Sequence, residues 1–160
     1  MKLLLDFQLA IEADALPRLG LLELWIKTTL EAVAEQSGQT LNDTYELTLR
    51  AVDKPEIQQL NLNYRHQDKP TNVLSFPFEA PPQVPLPLLG DLIVCHPVVV
   101  EEALQQHKPL EAHWAHMVVH GTLHLLGYDH IDDRQAEKME AREIKTLQQL
   151  GYANPYEPSG

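Results

Sequence analysis

Residues 113–130 read HWAHMVVHGTLHLLGYDH, and the kernel of the stretch is His120-x3-His124-x2-Gly127-x2-His130. Two histidines four apart on a helix stand one above the other on the same face, so both imidazoles reach a single ion. A third histidine at helical spacing cannot join them. His116, His120 and His124 in one helix span roughly 12 Å of axis at about 1.5 Å per residue, against metal–nitrogen bonds of about 2 Å. The third ligand has to come from a chain that turns back, and Gly127 supplies the turn because glycine takes the left-handed conformation that ends a helix. His130 is then delivered to the same ion. Three protein ligands with an open fourth position is the catalytic rather than the structural zinc pattern. His120, His124 and His130 are therefore the metal candidates, with one zinc ion as the expected cofactor; nickel, copper or iron also suit three imidazoles.

Outward from this stretch the chain alternates strand and helix signals. After it, Asp132-Asp133 cap a last helix with Ala136, Met139, Ile144, Leu147 and Leu150 inward and Gly151 at its end. Before it, Pro109 sits at the first turn of the histidine helix, which runs to Leu126, and Pro97–His107 has helix composition. Leu92-Ile93-Val94-Cys95 suits a short buried strand, and Ala80–Leu89, holding Pro81, Pro82, Pro85 and Pro87, reads as a long loop. Val73–Phe78 has strand composition, but Pro77 lacks a ladder N–H, which predicts an edge strand. Asp53-x-x-Glu56 reads as a capping box for a helix carrying Ile57, Leu60 and Tyr64, with Pro55 in its first turn. Tyr45 to Ala51 and Leu3 to Ile11 alternate apolar and polar residues as half-buried strands do. Between them, Pro17 begins a helix with Leu22, Trp25, Ile26, Thr29, Leu30 and Val33 as its stripe, stopped by Ser37-Gly38.

The order is βαβαββααα. It predicts an α+β fold: a small mixed four-stranded sheet with about five helices, of zinc-hydrolase-like build. Residues 1–152 are expected to form one metal-dependent hydrolase domain, followed by a short, polar, frayed tail over 153–160. Asp6 and Gln8 interrupt the apolar start, so no secretory leader is expected, and no apolar run reaches the length of a membrane span. The single cysteine, Cys95, excludes an internal disulfide framework and fits a reducing cytoplasm. A small core residue is its favoured reading. The net charge of −11 opposes non-specific nucleic-acid binding, so any RNA contact must be local.

The metal spacing is that of the metzincin proteases, H-E-x-x-H-x-x-G-x-x-H, except that Gly121 stands where those enzymes carry the glutamate base. With the extension HGTLHLLGYDH, and with LNLNYRHQDKPTNVLSFPF and LLGDLIVC, the chain strongly resembles the YbeY family of bacterial rRNA-maturation endoribonucleases over nearly its whole length. The resemblance implies a zinc-dependent endoribonuclease that matures the 16S rRNA 3′ end and serves ribosome quality control. Its partners would be ribosomal RNA and the ribosome or small-subunit assembly factors; the oligomeric state is left open. It also implies that Arg65, the arginine of the Tyr-Arg motif, is essential, and that His120 is both ligand and catalytic. In two places the sequence departs from the family pattern. His66-Gln67 replaces the Gly-Lys expected after Tyr-Arg, and His96 replaces an arginine expected after Cys95. Both remove a fixed positive charge near the expected RNA path.

From the residues alone, Arg65 belongs to a basic island with Arg50, Lys54, His66 and Lys69. A guanidinium grips phosphate two-pronged and steadies charge at phosphorus, which makes Arg65 and Lys69 the candidate substrate contacts; a solvated arginine or surface ion pair is the plainer reading. His116 and His113 extend the site as proton carriers or substrate contacts, or are polar positions at the margin of a helix face. Asp129 orients an imidazole or stabilises the tight turn. Ser75 and Thr71 have no histidine nearby in sequence to activate them. Two other function classes remain: a metzincin-like peptidase aligning a peptide on the edge strand, and a non-catalytic zinc protein that docks on the ribosome.

Overall fold

The structure is a computed structural model and describes residues 1–79 and 87–157. Strand β1 (Lys2–Leu9) leads into helix α1 (Leu19–Ser37), then β2 (Thr44–Val52) and α2 (Lys54–Arg65). Next come β3 (Val73–Pro77), β4 (Leu88–Cys95), α3 (His96–Gln105), α4 (Leu110–Leu125) and α5 (Asp133–Gln149). The result is the expected α+β fold with a mixed four-stranded sheet in the order β1-β2-β4-β3. Strands β1, β2 and β4 run parallel, and β3 is antiparallel to β4 at the edge. The edge position is what lets a strand end in Pro77. Most of the proline-rich loop, residues 80–86, lies outside the described residues, and Leu88 and Leu89 are strand rather than loop.

Strand β4 shows why the sheet sits between two layers. Leu92 and Val94 face the larger core with Trp25, Ile26, Trp114 and Val118, whereas Ile93 and Cys95 face Ile57 of α2. Alternate residues of an apolar strand thus bury on opposite faces. Burial pushes the Cys95 thiol up, so it behaves as the small core residue expected. Helix α4 is buried on nearly every side, from Trp114 through Leu125, and packs on α1, α3, α5 and β3. A helix so enclosed carries its histidines into the interior rather than along a surface.

Several local expectations change. Asp53 caps α2 by accepting from the Glu56 N–H, but the Glu56 carboxylate is taken by Arg50, at 2.6 and 3.1 Å, so only half of the capping box forms. Pro109 is the N-cap of α4 rather than a residue of its first turn. Within the segment after Gly151, expected to fray, residues 152–155 are held: the Tyr152 hydroxyl donates to Glu111 and accepts from the Trp25 indole, and Lys108 donates to the Pro155 carbonyl. None of these anchors is periodic in sequence, so pattern reading has no access to them.

His66 closes α2 in the left-handed region, with φ at 58°. That explains the glycine expected there: a side chain in this conformation costs about 1 kcal/mol that glycine does not. His66→Gly is expected to stabilise the protein by roughly 0.5–1 kcal/mol. It should raise the urea midpoint with the slope unchanged; a lower midpoint would contradict the strained cap.

Candidate active site

His120 and His124 come from the last turns of α4 and are half-buried. The helix ends as Gly127 takes φ 98°, with its N–H on the His124 carbonyl and the Tyr128 N–H on the Leu123 carbonyl. Asp129 then accepts from the His130 N–H at 2.7 Å. That bond supports the turn, and the Asp129 charge also acts on the neighbouring His124. The turn returns His130 to the helix end, and the ligand nitrogens of His120, His124 and His130 lie within 4.8 Å of one another. The His120 and His124 Nε2 atoms are 3.1 Å apart. A tetrahedral zinc site with bonds of about 2.0–2.1 Å puts its nitrogens about 3.3 Å apart, so the three residues fit such an ion with little movement.

What aims the rings is a carboxylate that the periodicity does not single out. Glu143 of α5 is fully buried, and its Oε1 accepts from His120 Nδ1. Its Oε2 accepts from His116 Nε2 at 3.2 Å and from the Tyr156 hydroxyl. Burial alone would raise the pKa of this carboxyl, but the bonds from His116 and His120 outweigh it and hold the group below the ordinary carboxylate range. An ionised carboxylate only accepts, so His120 must carry its proton on Nδ1, leaving the Nε2 lone pair for a metal. Burial, reinforced by the neighbouring His120 and His130, lowers His124 to about 4, so this ring is also an unprotonated donor at neutral pH. The available sequence signal was the position of Glu143 itself, a charged residue four places from both Met139 and Leu147 on the inward stripe of α5.

The remaining histidines of α4 are assigned by their partners. His116 is buried against Glu143, behind the three-histidine group rather than in it. His113 is buried one turn earlier and bonds Glu102 at 2.9 Å, while Glu102 also accepts from Asn72. His96 is a core residue too: Trp114 Nε1 donates to its Nδ1 at 3.1 Å, and burial lowers its pKa. It lies in the interior, so this departure falls on a core position rather than on an exposed surface.

A groove of about 670 Å³ opens in front of the three histidines. Its other walls are Tyr64 and Arg65 at the end of α2, and Thr71 to Pro77 along the edge strand. Tyr64 packs edge-on against Phe76 with centroids 5.1 Å apart, which ties the end of α2 to β3. The Ser75 hydroxyl donates to the Gly121 carbonyl at 3.3 Å, across the groove floor. The expected basic island divides. Arg50 pairs with Glu56 and Lys54 with Glu101, whereas exposed Lys69, His66 and Gln67 are not among the lining residues. Arg65 alone of the group lines the groove, and it has no carboxylate partner among the described residues. A larger cleft of about 970 Å³ contains none of these candidates and has Asp6, Glu23, Glu46, Glu79 and Asp91 among its lining residues.

The family model of the endoribonuclease YbeY matches residues 16–151, well over half of the chain. The chain belongs to the YbeY endoribonuclease family. The YbeY match runs from ahead of α1 to the end of α5, and so takes in Arg65 and all three histidines but stops short of Tyr156. A solution structure of TM1509 from Thermotoga maritima is similar, with a TM-score of 0.58 and 28% identity, covering 92% of this chain and 89% of that one.

The lowered His124 value makes stability pH-dependent. Between about 4 and 6.5 the unfolded chain protonates this ring and the folded chain does not. Stability is therefore full above pH 6.5 and is lost as the pH falls toward 4. Metal-free protein should show a Tm that declines across that window. His124→Ala should flatten part of the decline, with His116 and His96, both also lowered by burial, contributing to what remains. A wild-type Tm that stays level through the window in pH-stepped circular dichroism would contradict this account.

Proposed function

We propose that the protein is a zinc-dependent endoribonuclease of rRNA maturation, cutting at the 3′ end of 16S rRNA and acting in ribosome quality control in the cytoplasm. The observation that carries this reading is the groove, which is lined both by the three-histidine group and by an arginine with no carboxylate partner among the described residues. His120, His124 and His130 would hold the ion. When bound, zinc supplies Lewis acidity towards a phosphodiester and acidifies water to near neutrality.

Arg65 would grip the phosphate two-pronged and steady charge developing at phosphorus. The Tyr64–Phe76 contact joins that helix end to the edge strand, so the guanidinium would act from the wall facing the histidines. Asp129 is the acidic side chain lining the groove, and it or a nearby histidine would take the proton from the nucleophile. Attack by water and attack by the RNA 2′-hydroxyl both fit this arrangement and differ in product, since only the second leaves a cyclic phosphate. Lys69 would meet RNA outside the groove. Binding to the ribosome or its small-subunit assembly factors is consistent with a site that cannot rely on overall charge.

The edge strand beside the histidines also suits an extended peptide, which favours a peptidase reading. Gly121 speaks against it. A Cβ added there would meet Leu92 Cδ2 at 2.8 Å and Ser75 Oγ at 3.3 Å, so the position that carries the metzincin base has no room for a glutamate without displacing core.

The decisive experiment is cleavage of an end-labelled precursor of the small-subunit rRNA 3′ end by zinc-loaded wild type, Arg65→Ala and His124→Ala. Arg65→Ala should keep fold and zinc while losing about 10²–10³-fold in rate, and His124→Ala should lose zinc and activity together. Equal cutting by all three would expose a contaminating nuclease and bring forward the reading of a non-catalytic zinc protein that docks on the ribosome. Product ends carrying only cyclic phosphate would eliminate attack by water.

A further inference from the structure

We propose that the C-terminal segment is part of the metal centre, with Tyr156 a positioning residue that acts through Glu143 to fix the ring of His120. The inference rests on the three-histidine reading above and extends it to a residue beyond the family match.

Glu143 has no solvent contact, so its hydrogen bonds come from protein groups. Oε1 is committed to His120. Oε2 is shared by His116 Nε2, at 3.2 Å, and the Tyr156 hydroxyl. Without that hydroxyl, Oε2 would keep one long bond from a neutral ring. A buried carboxylate left short of donors gains by turning towards another partner or admitting water. Either movement turns Oε1 too, because the two oxygens share one plane, and His120 loses the acceptor that sets its tautomer and angle.

The rest of the tail separates this role from simple packing. Lys108 holds the Pro155 carbonyl at 2.6 Å, and Tyr152 is bonded to Glu111 at 2.8 Å and to Trp25 at 3.2 Å. These contacts fasten the tail to α1 and to the α3–α4 corner without touching a candidate ligand. The Tyr156 ring stacks edge-on against His116 with centroids 5.4 Å apart, a contact phenylalanine would keep. Only the hydroxyl reaches Glu143. The side chain thus provides packing with its ring and orientation with its oxygen, and one substitution removes the second without the first.

The test uses the full-length chain with cobalt(II) as a visible probe in place of zinc. Tyr156→Phe should keep its fold, weaken cobalt affinity about tenfold and alter the ligand-field bands; Glu143→Gln should weaken it by up to about a hundredfold. Tyr152→Phe, which cuts a different anchor of the same tail, should leave affinity and bands unchanged. In metal-free protein, imidazole nitrogen shifts should report a single Nδ1–H tautomer for His120 in wild type and a mixture in Glu143→Gln. Wild-type affinity and bands in Tyr156→Phe would overturn the proposal, whether or not Glu143→Gln folds. Equal weakening in Tyr152→Phe and Tyr156→Phe would also overturn it, since any loosening of the tail would then suffice. Failure of wild type to bind cobalt would instead remove the three-histidine reading beneath it.

Discussion

Helix α4 has to be the centre of the hydrophobic core and the carrier of four histidines at once. The two demands conflict, because an imidazole inside a core costs free energy unless its nitrogens find partners. Acids on other elements answer one nitrogen of each ring, half-buried Glu102 of α3 serving His113 and buried Glu143 of α5 serving His116 and His120, while Nδ1 of His113 and of His116 stays without a partner among the described residues. Each also pins a helix to α4 by a polar contact that tolerates little sliding. The packing of α3 and α5 and the aim of the candidate ligands are thus settled by the same bonds. A metal site assembled this way inherits the rigidity of the core rather than the mobility of a loop.

Much of this was legible in the sequence. Apolar alternation located the strands, and Pro77 identified the edge strand because its missing N–H admits few other places. His120, His124, Gly127 and His130 converge as their spacing requires, since the geometry is local: one helix turn and one reversal. The partners of the α4 histidines were not legible. Glu143 is 23 residues from His120 and Glu102 is 11 from His113, and such pairings depend on how helices dock. The basic island failed for a related reason. Arg50 and Glu56 are close in sequence, yet their pairing replaces half of a capping box that the motif alone predicts intact. His66 was legible as a departure but not as a backbone constraint, because only the observed φ reveals the left-handed cap.

Charge is organised so that an acidic protein can still present a cationic wall. The carboxylates of the larger cleft meet the groove only at the shared residues Phe76 and Pro77, while Arg50 and Lys54 are neutralised by neighbouring acids. At physiological ionic strength the Debye length is about 8 Å, so an exposed phosphate at Arg65 responds mainly to its own surroundings. Long-range attraction is then no help in capturing RNA. A substrate held by so few local cations is better recognised when something else presents it, which gives a physical reason for the proposed ribosomal setting.

Gly121 ties the fold to the proposed chemistry. The close approach of α4 to β3 and β4 means that a Cβ at that position would have to push the buried Leu92 side chain aside, and the Ser75 hydroxyl closes onto its carbonyl. Packing therefore disfavours a side chain where a metzincin carries the one that takes the proton from water. The same approach places the edge strand against the histidines and forms the groove floor. A reaction in this groove has to work without a strong base on the metal helix, and phosphodiester cleavage is suited to that limit. Its transition state gains most from positive charge around phosphorus, which a bound ion and a guanidinium on the facing wall can supply. Amide hydrolysis depends more heavily on the missing base, so the glycine that lets the helix seat on the sheet also selects against it.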